Sequence, residues 1–178
     1  MINLVQSERI LCVDPGTTHS GVVEFDGVNI IPVSAKYDNE ELVQLLRNVG
    51  PRGNGYLKHM AIEMIASYGM AVGESTFETV RWIGRLQEAF NEPDTTLVYR
   101  KNVKMFLCNS MRAKDANIRR AILDLFPATG GGKTPQIGTK SQPGPLFGVT
   151  SHMMSALAVG LWYHYAPRNV TQNSLETP

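Results

Sequence analysis

The chain has 178 residues, of which 43% are hydrophobic and 19% charged. That is enough for one globular domain and too little for two large lobes. No apolar run approaches the roughly 20 residues that span a bilayer, and the opening MINLVQSERI lacks a basic segment followed by an apolar stretch, so no membrane association or export is expected and the cytoplasm is the expected compartment.

In chain order, residues 9–14 (RILCVD) form an apolar run ending in Asp14, followed by the turn-forming Pro15-Gly16-Thr17 and a second β-rich run, SGVVEF. Asp26-Gly27 is a hairpin signal, and VNIIPV after it reads as a third strand placed at an edge by Pro32. A three-stranded antiparallel meander is predicted. Asn39 is read as the cap of a helix over EELVQLLRNV, stopped by Gly50-Pro51. HMAIEM (59–64) suits a buried central strand and carries Glu63 near its end. From about 71 to 90, Val72, Phe77, Val80, Ile83, Gly84, Leu86 and Phe90 recur at helical spacing. TTLVY (95–99) is a further strand, two helices follow at about 101–108 and 113–126, and a Gly/Pro-rich stretch over 128–148 reads as a mobile loop. SHMMSALAVGLWYHY (151–165) is apolar enough for a helix packed on the sheet.

The order β-β-β-α-β-α-β-α-α-loop-α predicts an α/β fold, a five-stranded mixed sheet flanked by helices. One domain over 1–166 is expected, with a polar tail over 167–178 expected to be disordered. Cys12, inside the first strand, and Cys108, at a helix end, are too few for a disulfide framework or a zinc site and are expected to be reduced and structural.

Net charge is only +1, but it is unevenly spread. Residues 99–140 hold nine Lys/Arg against two acids, an excess of +7, while the rest holds eight against fourteen, or −6. A basic segment on a near-neutral chain suits a phosphate-backbone surface and equally suits a solvated helix face.

Two carboxylates stand out. Asp14 ends the first strand and Glu63 a later core strand; were those strands neighbours, both would project from one sheet edge as hard oxygen ligands for Mg²⁺ or Mn²⁺. Two such ions about 4 Å apart can activate water and stabilise the departing oxygen in phosphodiester hydrolysis. The residues alone leave a second reading open. An Asp before Pro-Gly is also a turn former, whereas a Glu in an apolar strand is harder to explain without a partner. Gly130-Gly131-Gly132-Lys133-Thr134 looks like a phosphate-binding P-loop, but Pro127 stands where that motif needs Gly, no strand precedes it, and Pro135 disfavours a following helix.

Cys12-Val13-Asp14-Pro15-Gly16-Thr17-Thr18-His19-Ser20-Gly21 resembles the opening strand and turn of RuvC-type Holliday-junction resolvases. Ala61-Ile62-Glu63 resembles their second acidic motif. Ala113 to Arg119 (AKDANIR) and Ser151 to Val159 (SHMMSALAV) resemble later segments, especially of phage-encoded members. The resemblance runs over about residues 9–163, with four motifs in order. It implies an RNase H-like fold in which Asp14 bridges two metal ions, Glu63 binds one, and the last helix supplies a third ligand. There the chain departs from the family: His152 and Ser155 stand where acids are usual. His152 then serves as a ligand favouring Mn²⁺ over Mg²⁺ or as an acid or base. Asp115, near a helix start, either compensates for Ser155 or only caps. The resemblance also implies Lys114 near the scissile phosphate, Tyr68 stacking on unpaired bases, and Arg100, Lys101, Lys104, Arg112 and Arg119 as backbone contacts.

The implied activity is structure-specific cleavage of branched DNA, above all four-way junctions, leaving 5′ phosphates, with no nucleotide cofactor. Cutting two strands symmetrically implies a homodimer. One alternative is a junction-binding module with weakened or lost catalysis. The other, a sugar-kinase or actin-like ATPase, shares the core fold but needs two lobes around its nucleotide.

Overall fold

A computed structural model describes residues 2–31, 36–67, 69 and 71–167. β1 (Ile10–Asp14) and β2 (His19–Phe25) pair antiparallel across the Pro15-Gly16 turn. Asp26 Oδ1 accepts from the backbone N–H groups of Val28 and Asn29 at 3.0 and 2.7 Å, and Gly27 takes φ +90°, which favours glycine. This turn sends β3 (Ile30–Ile31) back along β2, as the hairpin signal predicts.

A short strand that the sequence does not announce, β4 (Tyr37–Asp38), pairs with the start of β2. It leads into α1 (Asn39–Val49), whose cap is Asp38 and not Asn39: Asp38 Oδ1 accepts from Glu40 N–H at 2.9 Å. Asn39 is buried instead, accepting from Ser20 Oγ at 2.7 Å and donating to Gly16 O at 3.0 Å. It therefore ties the turn after β1 to the first helix.

β5 (His59–Met64) lies parallel to β1, and after α2 (Glu74–Phe90) and a 3-10 turn at Glu92–Asp94, β6 (Thr95–Tyr99) lies parallel to β5. The sheet order is β3-β2-β1-β5-β6, the five strands expected, with β4 joined to β2 as a sixth. α3 (Arg100–Cys108), α4 (Asp115–Leu125) and α5 (Ser151–Tyr165) complete the fold.

Alternation along β1 feeds two cores. Leu11 and Val13 face α1 and α2 with Leu42, Leu46, Ile62, Leu86 and Phe90, while Ile10 and Cys12 face the α5 side with Phe25, Ala61, Leu157 and Val159. Each buried Val, Leu, Ile or Phe among them stabilises the fold by about 1.5–3 kcal/mol relative to exposure. α5 comes close to β1 because residue 160 is glycine: a Cβ there would lie 2.5 Å from Cys12 Sγ. Burial pushes the Cys12 thiol up, which keeps it an inert core group, and both cysteines are free.

Two sequence readings are corrected. In α2, Ile83, Leu86 and Phe90 are buried with Trp82, but Phe77 and Val80 are exposed, so the inward face is narrower than periodicity suggests. Residues 128–148 form no helix, yet this is a defined loop. Gly130 N–H donates to Pro135 O, Gly131 N–H to Gln142 O, Gly144 N–H to Ile137 O and Leu146 N–H to Gln136 O, all at 2.8–2.9 Å, and Leu146 is fully buried. Of the tail expected to be disordered, 168–178 lie outside the described residues. Among the described residues no helix is long and apolar enough to cross a membrane.

Candidate active site

The register Val13↔Ile62 between parallel β1 and β5 sets Asp14 and Glu63 side by side at one end of the sheet. Strand alternation turns both toward α5, because Asp14 follows Cys12 and Glu63 follows Ala61 on that face. The N-terminus of α5 then delivers His152, whose Nδ1 lies 3.7 Å from Asp14 Oδ2. Gly21, paired with Asp14 across β1 and β2, allows this approach, since a Cβ at residue 21 would lie 2.7 Å from the His152 carbonyl carbon and oxygen. A glycine inside a strand signals such an approach, and this function of Gly21 is additional to the sequence reading.

Arg100, the first residue of α3, reaches into the same place. Its Nη1 donates to Glu63 Oε2 at 3.0 Å and its Nη2 to Asp115 Oδ1 at 2.5 Å. Asp14, Glu63, Arg100, Asp115, Ser151, His152 and Ser155 line an open cleft of about 430 Å³. A smaller hollow of about 170 Å³ beside it shares Arg100, Asp115, Ser151 and Ser155 and extends to Arg119.

The two strand-end carboxyls are under strain of charge. Burial is the main cause lifting Asp14 to about 6; Arg100 opposes it and Asp115 adds to it. Burial likewise lifts Glu63 to about 7, opposed by Arg100 and reinforced by Asp14. These anions are incompletely compensated, a setting that favours a cation.

The half-buried carboxylates of Asp14 and Glu63 would hold one Mg²⁺ or Mn²⁺ ion as hard oxygen ligands, with water completing its shell. The fit to a second ion fails. Among the described residues no three His, Cys, Asp or Glu side chains form a group that would hold even one ion unaided; against a second, Arg100 already engages Glu63 and Asp115, and Ser155 brings only a hydroxyl to the cleft.

The remaining candidates lie around this cleft or beyond it. Lys114, exposed, immediately precedes α4 and its N–H donates to Asn117 Oδ1 at 2.9 Å. Asp115 both opens α4 and meets Arg100. Lys101 Nζ sits 5.9 Å from the centre of the Tyr99 ring. Lys104 is half-buried on α3, Arg112 is exposed between α3 and α4, and Arg119 is half-buried on α4. Tyr68 lies outside the described residues. Arg100 is thus held among carboxylates at the cleft, and not out on a basic face.

No protein-family model matches the sequence, and no curated protein matches it. Solved structures do. The Thermus thermophilus RuvC structure matches over 88% of this chain and 95% of its own, with a TM-score of 0.57 at 15% identity. The structure of T. thermophilus RuvC in complex with Holliday junction substrate matches over 89% and 93%, with a TM-score of 0.61 at 16% identity. The fold is RuvC-like. It is thereby of the RNase H-like α/β type, with a mixed sheet flanked by helices. At this identity the likeness establishes the RuvC-like fold, and the chemistry has to be argued from the cleft residues.

Proposed function

We propose that the protein is a divalent-metal-dependent endonuclease of the phage-encoded RuvC type, acting in the cytoplasm as a homodimer that resolves four-way junctions and other branched DNA. The observation that carries this reading is the pairing of Asp14 and Glu63 on adjacent parallel strand ends, with His152 brought to them in one open cleft. The substrate of the T. thermophilus RuvC complex is a Holliday junction, and two residues of the basic segment over 99–140 here, Arg100 and Arg119, line the cleft and the hollow beside it.

Asp14 and Glu63 would hold the metal ion, and His152 would be a third ligand or the base for the attacking water. When bound, Mg²⁺ or Mn²⁺ would supply a water of lowered pKa and Lewis-acid stabilisation of the phosphate. Arg100 fixes the Glu63 carboxylate and faces the cleft, where a phosphate oxygen would find its charge. Lys114, at the start of α4, together with Lys101, Lys104, Arg112 and Arg119 positions the backbone; Tyr68 stacks on unpaired bases. Hydrolysis leaves a 3′ hydroxyl and a 5′ phosphate, and no nucleotide takes part. For the homodimer, Phe77, Val80 and Gly84 form an exposed stripe along α2, with Phe77 65% accessible. Exposed apolar surface of this kind marks association, and Gly84 would admit a second helix closely.

The test is cleavage of a labelled four-way junction by wild type and Asp14→Asn in Mg²⁺ and in Mn²⁺, with linear duplex as control. Junction-selective cutting lost in the variant is the expected result. Ser155 and the missing three-ligand cage favour a second reading, a junction-binding module with lost catalysis. Tight junction binding without cutting in either metal would establish that one.

A further inference from the structure

We infer that Arg100 is the second cation of this site, so that each chain binds one divalent ion where two-ion chemistry would need two. The inference rests on the nuclease reading and concerns how the charge of that same cleft is balanced.

Geometry comes first. Arg100 spans Glu63 and Asp115 with two different nitrogens, at 3.0 and 2.5 Å. A guanidinium presents its donors in a rigid planar fork, which is why arginine bridges carboxylates in a fixed geometry. Arg100 is itself only 24% exposed and Glu63 14%, so this pair is sheltered and is not a loose surface contact. Asp115 lies on the far side of Arg100, reached by the opposite prong of the fork. A carboxylate so engaged is one that a second ion would otherwise recruit.

Charge gives an independent argument. With its acids ionised, the cleft carries three carboxylates, Asp14, Glu63 and Asp115, and one guanidinium, Arg100, which leaves −2. One divalent ion balances that sum. Two would leave the site at +2, in a cleft where position 155, one helical turn beyond His152, supplies only a hydroxyl. An always-charged arginine serves as a fixed cation that needs no loading. A guanidinium is a hydrogen-bond donor and not a Lewis acid for water, so Arg100 would act on a phosphate or departing oxygen, and activation of water would be left to the bound ion.

The experiment is a Mn²⁺ titration followed by electron paramagnetic resonance, on wild type, Arg100→Ala, Arg100→Lys and Asp14→Asn, with folding checked by circular dichroism and junction cleavage measured in parallel. Wild type is expected to bind one Mn²⁺ per chain in a manner lost in Asp14→Asn. Arg100→Ala is expected to bind two, with the spin coupling of neighbouring ions. Arg100→Lys, which keeps the charge, is expected to remain at one. Two Asp14-dependent, spin-coupled ions in wild type would overturn the inference, as would a folded Arg100→Ala that still binds one. Cleavage by a wild type holding two ions would refute this inference alone. One ion without any cleavage would refute the nuclease reading and leave the charge assignment standing.

Discussion

Asp14→Asn should stabilise the metal-free protein while abolishing cleavage. Burial lifts the Asp14 carboxyl from its ordinary 3.8 to about 6, so the folded chain holds a proton that the unfolded chain has already released. Below the ordinary value both states are protonated and the site imposes no penalty. As pH rises toward about 6 the folded state binds more protons than the unfolded one, and stability falls. Above that the penalty is complete, about 3 kcal/mol at ~1.4 kcal/mol per pH unit. The amide of Asn removes it and also relieves Glu63, which Asp14 pushes further up. At ~2–4 °C per kcal/mol for a chain of this size, the variant should melt about 6–12 °C above wild type at pH 8 in EDTA. The gap should close by about pH 4. Saturating Mg²⁺ should narrow or reverse it, because an ion at 100 times its Kd stabilises only wild type, by about 2.7 kcal/mol. Melting curves of both proteins across pH, with and without metal, decide the matter. A variant that melts below wild type at pH 8 in EDTA, or a gap independent of pH, would refute the argument that these carboxylates are held against their solvation.

Gly21→Ala should leave the circular dichroism spectrum intact and lower junction cleavage about 100-fold, since a Cβ 2.7 Å from the His152 backbone must displace that helix start, and misplacement near 1 Å has about this effect. Asn39→Ala removes the partners of Ser20 Oγ and Gly16 O and should lower unfolding free energy by about 1–3 kcal/mol in urea; Asn39→Asp, which keeps the acceptor for Ser20, should lose less. Phe77→Glu should shift sedimentation from dimer to monomer and convert paired incisions into single nicks. Lys104→Ala and Arg112→Ala should each reduce the slope of log affinity against log salt by about 0.9 if each meets one phosphate, as fluorescence anisotropy would measure, and an unchanged slope would remove that residue from the interface.

The strands and most helices were legible because their signals are local. Apolar runs of strand length, the Asp26-Gly27 turn and the helical spacing of Ile83, Leu86 and Phe90 each lie within a few residues of chain. Where two local choices are equally good, tertiary bonds decide. Asp38 and Asn39 both suit a helix cap, and Asn39 lost the position because Ser20 and Gly16 hold it from outside the helix. β4 escaped notice since two residues carry no period. Periodicity puts Phe77 and Val80 in the same apolar stripe as Ile83, Leu86 and Phe90 without saying what covers it, and both are exposed. The candidate site divides in the same way. Asp14 and Glu63 stood out as acids ending apolar strands, yet their adjacency is a property of the β1 to β5 register, which sequence does not print. Arg100 was harder still. In a run of basic residues it reads as one more phosphate contact, and only the meeting of α3, α4 and β5 shows its guanidinium between Glu63 and Asp115. The position of the acids follows from secondary structure, and the balance of their charge follows from packing. With a hydroxyl at Ser155 and a guanidinium between Glu63 and Asp115, the proposed site would keep its two strand-end carboxylates and hold one ion.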